Sequence, residues 1–317
     1  MAARRSRAER QGHPSEAERF SVHALTGRRL RQVTSAGPPS RRIVPALAVG
    51  LMVVCAAAAS AQFRGFRGNR GGLGAPIKPA PLAFPDRNFV VCRLMYTQVR
   101  REPSGGGWRT DYPYGEINLT IRLSELTKTP VSREGRREPN HYVVRMTDDS
   151  LFQCPFTIAS DVGTVGFEGA EVEQLRRYLL KGGFLWVDDF WGTEAWEHWT
   201  TQLSRVLPPD QFPVQDVALD DPIFRSQFTV TKVPQITNIA FWRSTRGADT
   251  SERGADSAEP HFRVIRDTHR RIMVVMTHNT DVADAWEREG EDPGFFYQFS
   301  PDGYAVGINV LLHAMTH

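Results

Sequence analysis

Residues 171–192 read EVEQLRRYLLKGGFLWVDDFWG, and this stretch decides the fold class. Val172, Leu175, Tyr178 and Leu179 recur at helical spacing, with Glu171, Glu173, Gln174 and Arg177 on the opposite face, so the segment opens as an amphipathic helix. Lys181 closes it and Gly182 supplies a left-handed cap. Residues 184–187 then form a continuous apolar strand, the pattern of a strand buried on both faces of a parallel sheet. Two aspartates follow, Asp188 and Asp189. In open α/β sheets, sites gather where strand C-termini meet the next turn, so this pair marks a candidate site.

Working outward, residues 89–99 and 142–146 read as strands, as do 151–158, 262–265 and 271–277. Residues 228–233 and 236–242 read as strands or extended pieces, and 246–260 as a loop. Helices are expected beneath the loop at 117–126, and at 194–207, 281–289 and 305–317. Apolar strands alternating with helices predict a three-layer α/β domain with a mostly parallel sheet and helices on both faces.

The N-terminal 61 residues stand apart. Residues 43–61 form an uncharged apolar run that follows Arg41-Arg42 and closes on Ala59-Ser60-Ala61, a small-x-small cleavage pattern. They read as a signal peptide, with an uncleaved membrane anchor as the alternative, and either version places the domain outside the cytoplasm, in a periplasmic or other extracytoplasmic compartment. Residues 1–61 carry ten arginines against three glutamates, so removing them turns the formal net charge from +3 to −4. The basic character belongs to the leader, and no nucleic-acid partner is expected. Residues 62–87, rich in Gly, Pro and Arg, read as a linker, and 88–317 as one domain. Cys92 and Cys154 lie in apolar strands and read as buried small hydrophobes, although export permits a disulfide.

Two strand ends carry polar clusters: Asp188-Asp189, and His278-Asn279-Thr280-Asp281 with Asp284 one turn on. Carboxylates with an imidazole suit a divalent metal or shared acid and base roles, with Asp189 and His278 as the catalytic candidates. Asp188, Asp281 and Asp284 are ligand-binding candidates; the alternatives are that Asp281 simply caps the helix that follows and that Asp188 satisfies loop amides. Trp108, Asp111 and Tyr112, in a Gly-rich loop, are further candidates for lining a pocket. Asp148, Asp149 and Asp161 read as solvated turn formers. The chain has no G-x-S-x-G, G-x-x-x-x-G-K-[ST], H-E-x-x-H or C-x-x-C motif, which argues against ordinary serine hydrolases, P-loop NTPases, zincins and thioredoxin-like enzymes.

GGWRTDYP, NLTIRLSELT, LRRYLLKGGFLWVDDFWG and RIMVVMTHNTDVADAWERE, in this order, resemble the bacterial domain of unknown function 4159 family over residues 88–317. That family is similar to the class I glutamine amidotransferase-like superfamily, so the resemblance implies a flavodoxin-like fold with a nucleophile elbow at 188–190 and the later histidine at His278. It also implies partners in the bacterial envelope, because family members resemble components encoded with chaperone ATPase and von Willebrand-type modules. The elbow holds no cysteine, and thiolate-based glutamine hydrolysis requires one. The resemblance therefore implies an inherited ligand- or partner-binding site without amidotransferase activity; the alternative is a metal-assisted or carboxylate-based hydrolase.

Overall fold

The computed structural model describes residues 74–135 and 138–317. The expected signal peptide and the first part of the expected linker lie outside the described residues. Seven strands form one sheet in the order β3-β1-β4-β6-β9-β8-β7: β1 (Val91–Met95), β3 (His141–Arg145), β4 (Thr157–Ser160), β6 (Leu185–Asp188), β7 (Val214–Asp216), β8 (His261–Arg266) and β9 (Ile272–His278). The pairs from β3 through β9 are parallel, while β8 runs antiparallel to both β9 and β7. Short strands β2 (Thr97–Gln98) and β5 (Val165–Gly166) pair separately. The sheet is thus mostly parallel in a mixed α/β domain.

Side-chain alternation sorts the strands into two cores. Val91, Ile158, Trp186 and Val275 pack with α1 (Tyr114–Thr127), α5 (Asp284–Glu287) and α6 (Pro293–Thr316) on one face. Cys92, Ala159, Val187 and Met276 pack with α2 (Gly169–Leu180) and α3 (Gly192–Val206) on the other. Glu168 and Glu171 form a capping box at the start of α2, and Gly182 adopts φ +106° after its end. α6 lies close on α5 because Gly303 and Gly307 present no side chain: a Cβ would sit 2.5 Å from Ala285 Cβ and 2.6 Å from Trp286 Cζ2. Among the described residues, no helix is long and apolar enough to cross a membrane.

Several expectations need correction. Residues 151–158 are not one strand, because Asp149–Gln153 is a 3-10 turn and Pro155 delays pairing until Thr157. The segment expected to be extended at 236–242 runs into a helix, α4 (Ile239–Thr245), which starts because the Asn238 side chain accepts the Phe241 N–H. The last helix starts at Pro293 and continues through Pro301, well before the expected 305. The end of the expected linker is part of the sheet edge: Val143 N donates to Lys78 O and Ala80 N donates to Val143 O. Cys92 and Cys154 form a disulfide; β1 and β4 are neighbours, and that proximity is hidden by a separation of 62 residues.

Candidate functional site

The parallel strands end in a repeated device. The residue after β4 is Asp161, after β6 Asp189 and after β9 Asn279, with φ of 54°, 53° and 60°. Asp and Asn are the non-glycine residues that best tolerate this left-handed region, and each turns the chain sharply at a strand tip. The turns interlock, since Asp161 N donates to the carbonyls of Asp188 and Asp189, and Asn279 N donates to Phe190 O. Asp111, in the loop before α1, has φ 65°. Four positive-φ residues at one end of the sheet are a local concentration of backbone strain, which collects at functional sites.

Above these tips lies a cavity of about 210 Å³ in which eight carboxylates face three guanidiniums. Asp111, Asp161, Asp189, Asp281, Asp284 and Glu287 are all buried. Asp161 accepts from Gly107 N at 2.7 Å, Asp189 from Trp191 Nε1 at 2.9 Å and Asp281 from Asp284 N at 2.9 Å. Each of these bonds uses one oxygen, and the second oxygens of Asp189 and Asp281 meet no donor among the described residues. Asp284 is more fully engaged, accepting from Ile239 N at 2.8 Å and from Arg288 Nε at 3.0 Å.

The arginines are spent on protein acceptors. Arg288 pairs with Asp284 and Glu287, Arg253 donates to Pro103 O, and Arg109 donates to Ala75 O. Beneath Asp111 runs a buried chain in which Arg93 pairs with Glu116 and donates to Ser160 Oγ at 2.7 Å, while Ser160 donates to Asp111 Oδ2 at 2.8 Å.

Burial and mutual repulsion raise these acids. Asp161 is pushed up to about 7 by burial, with Glu102 and Asp111 adding to it. Glu287 rises to about 9 through burial and the neighbouring Asp284. Asp189 and Asp281 stand well above the usual carboxylate range, from burial first and then the charge of Asp111. The cavity therefore favours protons or a bound cation over free carboxylates. Its wall is rich in acceptors and short of free charged donors.

The structure brings together Asp111, Asp189, Asp281 and Asp284 of the residues singled out from sequence. Asp188 is elsewhere: it shares the parity of Trp186, points beneath the turn after β9, and accepts from Thr277 Oγ1 at 2.5 Å and Ala283 N at 2.8 Å. His278 shares the parity of Met276, so its ring goes to the α3 face, against Phe190 and Trp196. Its Nε2 donates to Gly192 O at 3.0 Å, and Nδ1 accepts from Arg263 at 3.3 Å. Burial pushes its pKa down to about 4, so the ring is neutral with both nitrogens committed. Trp108 packs against Tyr112 and beneath Arg109, and Tyr112 is buried with its hydroxyl taking Lys78 N; neither lines the cavity.

Sequence reading missed Glu102, Glu252, Glu287 and Asp161 as cavity residues. Asp161 follows an apolar strand just as Asp189 does, and that shared position was the available signal. Arg93 within the apolar strand FVVCRLMY was another, because an unpaired charge is not buried there without cost.

No curated protein matches the chain. A family model described as "Domain of unknown function (DUF4159)" matches residues 92–315, a span that takes in every strand from β2 to β9, nearly all of β1, and every carboxylate of the cavity. The chain belongs to the DUF4159 family.

Proposed function

We propose that this protein is an exported, amidotransferase-like domain whose strand-tip cavity binds a small ligand rich in hydrogen-bond donors, without hydrolysing glutamine. The observation that carries the reading is Asp189: its carboxylate lines an acceptor-rich cavity, at the turn where the resemblance implies a nucleophile elbow. The parallel strands, numbered among themselves in chain order, lie 2-1-3-4-5, the order of flavodoxin-like sheets, which supports the amidotransferase-like assignment. Neither Cys92 nor Cys154 is available as a thiolate, since each is bonded to the other. That bridge also supports an oxidising compartment, and with it a role among envelope partners.

A carboxylate-based hydrolase is the second reading. It is favoured by the Asp189 carboxyl, which burial raises well above the usual carboxylate range and so biases toward the protonated form, but His278 is not available to it as an acid or base.

The test uses the full chain in chelator. Ammonium, ethanolamine, glucosamine, glucose and glycerol are screened by thermal shift, and ammonia release from glutamine is assayed alongside. Stabilisation by an amine or polyol, lost in Asp189→Asn, supports the binding reading. Ammonia release from glutamine overturns the claim of lost amidotransferase chemistry, and stabilisation by none of the probes overturns ligand binding.

A further inference from the structure

We propose that Asp111, Asp281 and Asp284 hold a hard divalent cation of calcium size. One carboxylate oxygen from each lies within 4.8 Å of the other two. Calcium binds oxygen at roughly 2.3–2.6 Å, so two ligands on opposite sides of the ion stand about 4.8 Å apart, and the three oxygens suit one ion without rearrangement. The donor set is carboxylate alone, with no histidine or cysteine, which selects calcium or magnesium over softer metals. The proposal rests on the reading of the cavity as a ligand site and names an ion within it.

One observation beyond the cluster points to a bound ion. Asp189 is outside the triad and only 9% exposed, and one of its oxygens has no donor among the described residues although it lines the same cavity. A water on the cation is the donor such an oxygen lacks. Asp111 spends Oδ2 on Ser160 and Asp281 spends Oδ1 on Asp284 N, leaving one oxygen of each for the ion. Asp284 ligates through a second lone pair, which a carboxylate oxygen retains after accepting one hydrogen bond. Asp188 and His278 are not ligands, because their polar atoms are taken up by Thr277, Ala283, Gly192 and Arg263. The ion would tie the loop before α1 to the turn after β9, two segments about 170 residues apart in sequence whose like charges otherwise repel.

The experiment is calorimetric titration of the full chain, stripped with chelator and returned to chelator-free buffer, with calcium, magnesium and manganese chlorides. One ion per chain is expected, with calcium tighter than magnesium. Asp281→Asn should weaken binding at least about tenfold, while Asp149→Asn, at an exposed turn, should leave it unchanged. The melting temperature of Asp281→Asn in chelator should equal or exceed that of the parent, which separates lost binding from lost folding. Absence of binding for all three metals at about 10 mM, or equal affinity in Asp281→Asn and the parent, overturns the site, on the scale of the weakest calcium modules. The ligand screen runs in chelator, so an organic ligand that binds while no metal does removes the ion and leaves the cavity reading intact. A metal that binds while no probe stabilises the chain does the reverse.

Discussion

Thr277 shows how a single hydroxyl holds the site in place. It accepts from Trp186 Nε1 at 2.8 Å and donates to Asp188 Oδ1 at 2.5 Å, and Asp188 in turn accepts from Ala283 N ahead of α5. All three partners are buried, so the links are not replaceable by water. Thr277→Val keeps the shape and removes the hydroxyl, leaving an indole N–H without an acceptor and a carboxylate oxygen without a donor. Unmet buried groups of this kind cost about 1–3 kcal/mol each. The expected outcome is a lower urea midpoint at unchanged m-value, and a midpoint within error of the parent would show that the network carries no net stability. Asp189 poses the opposite case at the same scale, since the residue is buried and its second oxygen meets no donor among the described residues. Asn tolerates the same left-handed backbone, so Asp189→Asn should raise stability by about 1 kcal/mol in chelator at pH 8, as relief of a strained functional site does. A loss measured by the same urea midpoint would show that the carboxylate is held by more than Trp191.

Among the elements, β1 and α1 are joined by the Arg93–Glu116 pair, with both side chains fully buried. Removing one partner of such a pair leaves an uncompensated charge and costs about 3–5 kcal/mol, whereas replacing both with apolar side chains is often neutral. Arg93→Met is therefore expected to be severely destabilised, and Arg93→Met with Glu116→Leu to recover most of the loss in a double-mutant cycle by urea unfolding. Independent, additive losses would show that the pair does not act as one unit. The disulfide joins the same strand to the approach of β4, and replacing both cysteines with serine should cost about 2–5 kcal/mol by the same measurement. These links explain what the sequence made legible. The helix, Gly-Gly break and strand at 171–187 are local, and periodicity with glycine capping places them to within two residues. Asp189 was readable for the same reason. The partners that surround it come from five separated segments, and no spacing rule links Glu102 to Glu252 or Asp111 to Asp284. His278 was legible as a strand-tip residue, but the face it takes depends on strand parity relative to Met276, which needs the register. Asp161 was lost because an acid after a strand was assigned to solvent, and the Gly105–Gly107 loop that covers it is a tertiary contact.

At the scale of the whole molecule, the buried acids and the buried histidines set opposing pH dependences, and the window between them is diagnostic. His278 and His313 are both held down to about 4 by burial. A histidine whose folded pKa is depressed below about 6.5 stabilises the fold above that pH, and the contribution is lost as pH falls toward 4. The acids act with the reverse sign: Asp161 and Asp188 are raised to about 7 by burial, and burial also holds Asp189 well above the usual carboxylate range. An acid raised in the folded state keeps its proton there after the unfolded chain has released its own near pH 4, so stability falls as pH climbs through the folded value. Below about pH 6.5 the two groups oppose each other; between about 6.5 and 8.5 the acids dominate, because the folded histidines are already neutral and the unfolded ones lose the rest of their charge early in the window. The expected outcome is a fall in unfolding free energy from pH 6.5 to 8.5 in chelator, on the order of 2 kcal/mol, since each pKa unit corresponds to about 1.4 kcal/mol. Urea unfolding at three pH values with a constant m-value measures it, and Asp161→Asn should flatten the slope by removing one contributor. Stability that rises or stays level across this window would mean that the folded protein already holds these carboxylates ionised, and that the arginines around the cavity offset more of their repulsion than their hydrogen bonds to Asp284, Glu287 and the Pro103 carbonyl suggest.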